Sequence, residues 1–116
     1  MENTLNIKTS ELDNETLVFE VEHGDIGPMV DRLDIEPNGF AIMGKGLPFE
    51  AAVVDTRLLK EDWFTNDHLL AIEAHELGHI RMNSVKEAVA EKEGIRLLNV
   101  SGHHDAANIL IARGVL

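Results

Sequence analysis

The chain has 116 residues, 44% of them hydrophobic, which is room for one domain with one modest core. A formal net charge of -11 repels nucleic acid phosphates and anionic lipid, so direct binding to DNA, RNA or a membrane surface is disfavoured while a neutral or basic protein partner stays open. With no cysteine, disulfides, thiolate zinc sites and cysteine nucleophiles are excluded, and any metal must be held by nitrogen and oxygen.

Residues 1–14 are polar and lack the charged-then-apolar pattern of a signal peptide, so they are expected to be a flexible N-terminus ahead of a single domain over 15–116. No apolar run approaches the length of a membrane span, and a soluble, cytoplasmic protein is the expectation. From Thr16 to His23, Leu17, Phe19 and Val21 alternate with Val18, Glu20 and Glu22, the period of a half-buried strand. Gly24 to Gly27 breaks it, and Pro28 suits the first turn of a short helical segment reaching about Asp34.

Pro37-Asn38-Gly39 signals a turn, followed by two short apolar strands, Phe40 to Met43 and Glu50 to Asp55, with a Gly44 to Pro48 loop between them. Helical patterns then cover about 67–82, 85–98 and 105–113, with Thr65 or Asn66 as a cap for the first. Sheet first and helices second predicts an α+β domain: a short, mostly antiparallel sheet, a helix pair and a C-terminal helix.

The first helical pattern holds His75-Glu76-Leu77-Gly78-His79. Side chains four apart on a helix leave one face about 6 Å from each other, so two imidazoles can close on one metal ion. The intervening Glu76 cannot reach as a ligand but lies beside the open position where water would sit. In this composition a shuffle would produce the pattern with an expectation of roughly 0.03, so its context has to carry the argument. The helix is apolar on most of its circumference, as a central helix must be when one side meets a core and another a metal cleft. Gly78, costly inside a helix, points to a close approach by another backbone, or to simple tolerance. His68 shares the metal face, but about 10 Å up the helix it belongs to the rim and not to the ligand set.

A hydrolytic zinc site takes three protein ligands plus water, and the candidates for the third are Glu87, Glu91, Glu93, His103, His104 and Asp105. On the second helical wheel Glu87 and Glu91 fall on one small or apolar arc with Gly94, Ile95 and Leu98, while Glu93 points elsewhere. If the helices reverse between Met82 and Ser84, Glu87 comes level with His79, and Glu91 comes level with His75, whose other ring N–H it could accept. Ser84-Val85-Lys86-Glu87 also fits a capping box, in which Glu87 folds back on the backbone and needs no metal.

Together, His75-Glu76-Leu77-Gly78-His79 and Glu87-Ala88-Val89-Ala90-Glu91 resemble the gluzincin arrangement of zinc metallopeptidases. The stretch through Leu98 is most similar to the small ImmA/IrrE-like peptidase domains. The resemblance spans about Leu69 to Leu98 and implies a zincin-like fold and Zn²⁺ held by His75, His79 and Glu87. It also implies Glu76 as general base, Glu91 as the residue orienting a ligand, and a protein or peptide substrate of the regulatory, repressor-like kind. Many such enzymes place a tyrosine, histidine or arginine where negative charge develops on the carbonyl oxygen. This chain has no tyrosine, which directs that catalytic role to His103 or His104 after Gly102; the alternative is that the pair caps the last helix with Asp105. A short edge strand, Phe40 to Met43 or Glu50 to Asp55, could bind an extended peptide by main-chain pairing. Two other readings stay open: a zinc-retaining, peptidase-like module that docks a partner without cutting it, and a metal-free α+β domain whose histidines are structural.

Overall fold

The computed structural model describes residues 6–21, 39–44, 46–56 and 62–113. Four strands come first: β1 (Asn6–Thr9), β2 (Leu17–Val21), β3 (Gly39–Ile42) and β4 (Ala51–Asp55). Three helices follow: α1 (Asn66–Met82), α2 (Glu87–Val100) and α3 (His104–Arg113). The domain is therefore α+β, and the expected strands and helices are present to within a few residues. The segment expected to be helical from Pro28 lies outside the described residues.

The sheet order is β1-β2-β4-β3, with β1 antiparallel to β2, β2 parallel to β4, and β3 antiparallel to β4. Register sets Phe19 opposite Ile7 on one side and Val53 on the other, so Val18, Ala52 and Val54 turn to the opposite face. That face packs on α1, where Val18, Ala52 and Val54 join Phe64, Leu69, Ile72, Leu77 and Leu97 in one core. A second core sits on the far side of α1, built from Leu70, Ala71, Ala74, Leu98, Ala106, Ala107 and Leu110. Every residue from Leu69 to Ile80 is consequently buried. Leu77 and Leu98 are fully buried, and each contributes about 1.5–3 kcal/mol of transfer free energy.

One expectation for the N-terminus needs correction. Within the stretch 1–14, expected to be flexible, residues 6–9 form edge strand β1 and the next residues are tied down. Ser10 Oγ donates to buried Glu73 Oε2 at 2.6 Å, and Arg81 Nη1 donates to Asp13 Oδ2 at 3.1 Å, so both ends of this stretch are fastened to α1. Burial raises the Glu73 pKa above the usual carboxylate range, against the Ser10 hydrogen bond that lowers it. These partners lie more than sixty residues away in the chain, beyond the reach of local pattern.

Thr65 caps α1: its side chain accepts from the His68 backbone N–H, while His68 Nδ1 accepts from the Thr65 N–H at 3.1 Å. Histidine thus takes the place that glutamate or glutamine usually fills in a capping box. The helix stops at Asn83, whose left-handed conformation (φ 48°, ψ 50°) turns the chain back toward α2. Among the described residues no helix is long and apolar enough to cross a membrane.

Candidate metal centre

The α1–α2 reversal sets the site's geometry. Gly78 lies against Ala90, so closely that an added Cβ would collide with the Ala90 carbonyl, and Gly94 meets the Ala74 carbonyl in the same way further along. These two contacts let the helix backbones approach each other, which decides in favour of the packing reading of Gly78. They also bring Glu87 and Glu91, on the inward face of α2, onto the histidines of α1.

Glu87 Oε1 lies 2.6 Å from His75 Nε2 and 3.3 Å from His79 Nε2. Ligand atoms of His75, His79 and Glu87 all fall within 4.8 Å of one another, so the three could hold a metal ion. The capping alternative for Glu87 is not what forms: Ser84 Oγ accepts from the Lys86 N–H at 3.1 Å, and Lys86, the N-cap residue of α2, makes no side-chain cap. Glu87 is therefore left to turn toward the imidazoles.

The far sides of both rings are pinned. His75 Nδ1 is 2.5 Å from Glu91 Oε1, and His79 Nδ1 is 2.7 Å from the Ser84 carbonyl oxygen. Ser84 holds this position because its own N–H donates to the His79 carbonyl across the turn, at 3.1 Å. Each Nδ1 faces only an acceptor and so carries the proton, which assigns the ring tautomer and leaves Nε2 with its lone pair. Two nitrogen lone pairs and a carboxylate oxygen then converge on one point, an arrangement that requires a proton or a cation between them. Two imidazoles and one carboxylate, each nitrogen ligand backed by a hydrogen-bond acceptor, fit the donor set of a catalytic zinc site.

Burial and charge point the same way. The side chains of His75 and His79 are 3% and 9% exposed, whereas Glu87 is 53% exposed, so the site has a closed back and an open mouth. Burial works against a charged His75, but the neighbouring Glu76 charge and the hydrogen bonds to Glu91 and Glu87 raise its pKa overall. Burial likewise opposes ionisation of Glu87, yet the His75 hydrogen bond and the nearby imidazoles hold its pKa below the usual value. Glu91 is fully buried, and its Oε2 has no hydrogen-bond partner among the described residues. Glu76, next to His75 in the chain, is buried, its Cγ close to where a Cβ on Gly39 of β3 would stand.

The remaining candidates separate cleanly. His68 belongs to the α1 cap, packed against the rings of Trp63 and Phe64, and not to the metal cluster. Glu93 is turned away and bound by Arg81 and Arg96. His103 and His104, expected to be candidates for stabilising the carbonyl oxygen, are not brought to the site. They follow α2, whose fourteen residues put roughly 20 Å of helix between them and Glu87. The His103 carbonyl accepts from the Ala107 N–H and His104 Nδ1 faces Asn99 Oδ1, so the pair organises the start of α3. Of the two strands considered for peptide pairing, β4 is interior and β3 stands at the edge of the sheet formed by the described residues. The Ser84 carbonyl is the site element missed from sequence, and no signal could have found it, because any residue supplies a carbonyl.

No protein-family model matches the chain, and no curated protein or solved structure matches it either.

Proposed function

We propose that this chain is a zinc-dependent metallopeptidase of the gluzincin type, acting in the cytoplasm on a selected protein substrate. The observation that carries the reading is the convergence of His75 Nε2, His79 Nε2 and Glu87 Oε1 with both Nδ1 atoms already engaged. Zinc bound there would supply a water of lowered pKa and polarise the scissile carbonyl. Glu76, which follows His75 in the chain and is buried, would take that proton and return it to the leaving amine. Glu91 and the Ser84 carbonyl hold the imidazoles so that no ring has to reorient during turnover. Edge strand β3, beside Glu76, offers main-chain groups to an extended peptide.

The test is zinc content and cleavage measured together on wild type and Glu76→Gln. Wild type is expected to bind one zinc and cut members of a peptide library until chelator is added; Glu76→Gln should keep the zinc and lose the cutting. Zinc stoichiometry near zero after reconstitution, or undiminished turnover by Glu76→Gln, refutes the proposal.

One observation favours a second reading, a zinc-retaining module that binds a protein without cutting it. Among the described residues, neither His103 nor His104 reaches the site, and the chain has no tyrosine to stabilise a carbonyl oxygen. Zinc-dependent peptide binding with no products from either protein would select that reading.

A further inference from the structure

Ile72, Glu76, Ile80 and Asn83 follow one stripe of α1, at spacings of four, four and three residues. The upper part of this stripe lies against β3, where a Cβ on Gly39 would meet both Ile72 and Glu76. Below Glu76 the sheet gives way to the β3–β4 loop, and a cavity of about 500 Å³ opens between that loop and the end of α1. Gly44, Leu47, Phe49, Glu50, Ile80 and Asn83 line it. It begins one helical turn, about 6 Å, from Glu76, on the side of α1 that faces the edge strand.

We infer that this cavity takes the side chain of an arginine or lysine in a bound peptide and so selects substrate for the neighbouring site; calling that peptide a substrate rests on the proposed peptidase function. Its walls divide by chemistry. Ile80 is buried and Leu47 is exposed, while the Phe49 ring packs against Phe19, 5.5 Å between centroids, on the sheet face away from α1. Ile80 and Leu47 suit a hydrocarbon stem. Two of the lining residues are polar: Glu50, which carries a carboxylate, and Asn83, which carries an amide and whose backbone is locked as the α1 cap. No described lining residue is cationic. A purely apolar side chain would leave the carboxylate and the amide unmatched, whereas lysine and arginine carry a hydrocarbon stem and a cationic head together. The net charge of -11 draws the same class of peptide toward the surface.

The probe is a set of fluorescein-labelled glycine/serine peptides that differ at one central position: arginine, leucine or glutamate. Binding is read by anisotropy on zinc-loaded Glu76→Gln, which separates affinity from cleavage. The arginine peptide is expected to bind about three- to fivefold more tightly than the leucine peptide, the range of a partly exposed ion pair. Glu50→Lys, a change at an exposed position, should reverse the order so that the glutamate peptide binds best. Lys45 lies in the same loop but outside the described residues, so Lys45→Gln is included, and the arginine preference must survive it. Equal binding of arginine and leucine peptides, no binding of any, a preference indifferent to Glu50→Lys, or one lost in Lys45→Gln overturns the assignment. Wild-type cleavage without basic preference would refute the pocket and leave the peptidase reading intact. Glu50-dependent arginine binding with no cleavage would do the reverse.

Discussion

Replacing Gly78 with alanine sets two physical effects against each other with opposite signs. By helix propensity alone, Gly→Ala in a helix interior stabilises by about 1 kcal/mol. In this fold, however, the new methyl would stand 2.8 Å from the Ala90 carbonyl carbon and 2.9 Å from its Cα, with the oxygen closer still. Carbon atoms pack at about 3.5–4.0 Å, so α1 and α2 would have to separate by roughly 1 Å, and a backbone carbonyl cannot rotate aside as a side chain can. Overpacking of this kind costs about 1–3 kcal/mol, and lost contact along the α1–α2 interface adds to it. The net expectation is a loss of about 1–2 kcal/mol, or roughly 5–10 °C in Tm for a domain of this size. Because His75 and His79 sit on one helix and Glu87 and Glu91 on the other, the same separation should weaken zinc binding about tenfold or more. Thermal unfolding of the metal-free protein measures the first effect, and competition against a zinc chelator the second. A Tm equal to or above wild type would show that the helices are not in contact at Gly78, and the account of the site's assembly would fail with it.

Glu91→Ala should reduce zinc affinity about 10- to 100-fold by releasing His75 Nδ1, while Glu91→Gln, which keeps an acceptor oxygen, should lose less; equal affinities in a chelator competition would contradict the orienting role. Glu87→Ala is expected to leave two ligands and convert tight, one-to-one zinc binding into weak binding, and an unchanged stoichiometry under dialysis would remove Glu87 from the ligand set. Hydrogen bonds from Arg96, and then from Arg81, hold the Glu93 pKa down to about 2, below its ordinary value of 4.5. A depressed carboxylate pKa contributes stability that is fully present above about pH 4.5 and is lost as pH falls toward 2. With both arginines partly in solvent, Glu93→Gln should cost about 1–2 kcal/mol at pH 7 and progressively less below pH 4.5; denaturant midpoints that differ equally at neutral and acid pH would argue against it.

Periodicity made α1 legible because a helix buried on nearly all sides keeps its apolar positions whatever it packs against, and the two histidines four apart carry their own geometry. The wheel of α2 separated Glu87 and Glu91 from Glu93 because helical phase alone puts Glu93 on another arc, where Arg81 and Arg96 bind it. Strand β1 was invisible: Asn6 to Thr9 has no apolar alternation, and it pairs through its backbone and is fastened by residues far along the chain. The ambiguity at Glu87 was real, because Ser84 and Glu87 satisfy a capping pattern that depends only on neighbours.

By itself, then, the sequence determined the α+β order, the helix bearing His75, Glu76 and His79, and the pair of inward carboxylates, since each follows from spacing within a single element. Only the tertiary structure decided that Glu87 meets both imidazoles, that His103 and His104 stand at the far end of α2, that Ser84 orients His79 through its carbonyl, and that among the described strands β3 and not β4 lies at an edge. Those outcomes depend on how closely two helix backbones can approach and on which strands pair, and both are set by contacts between residues distant in the chain.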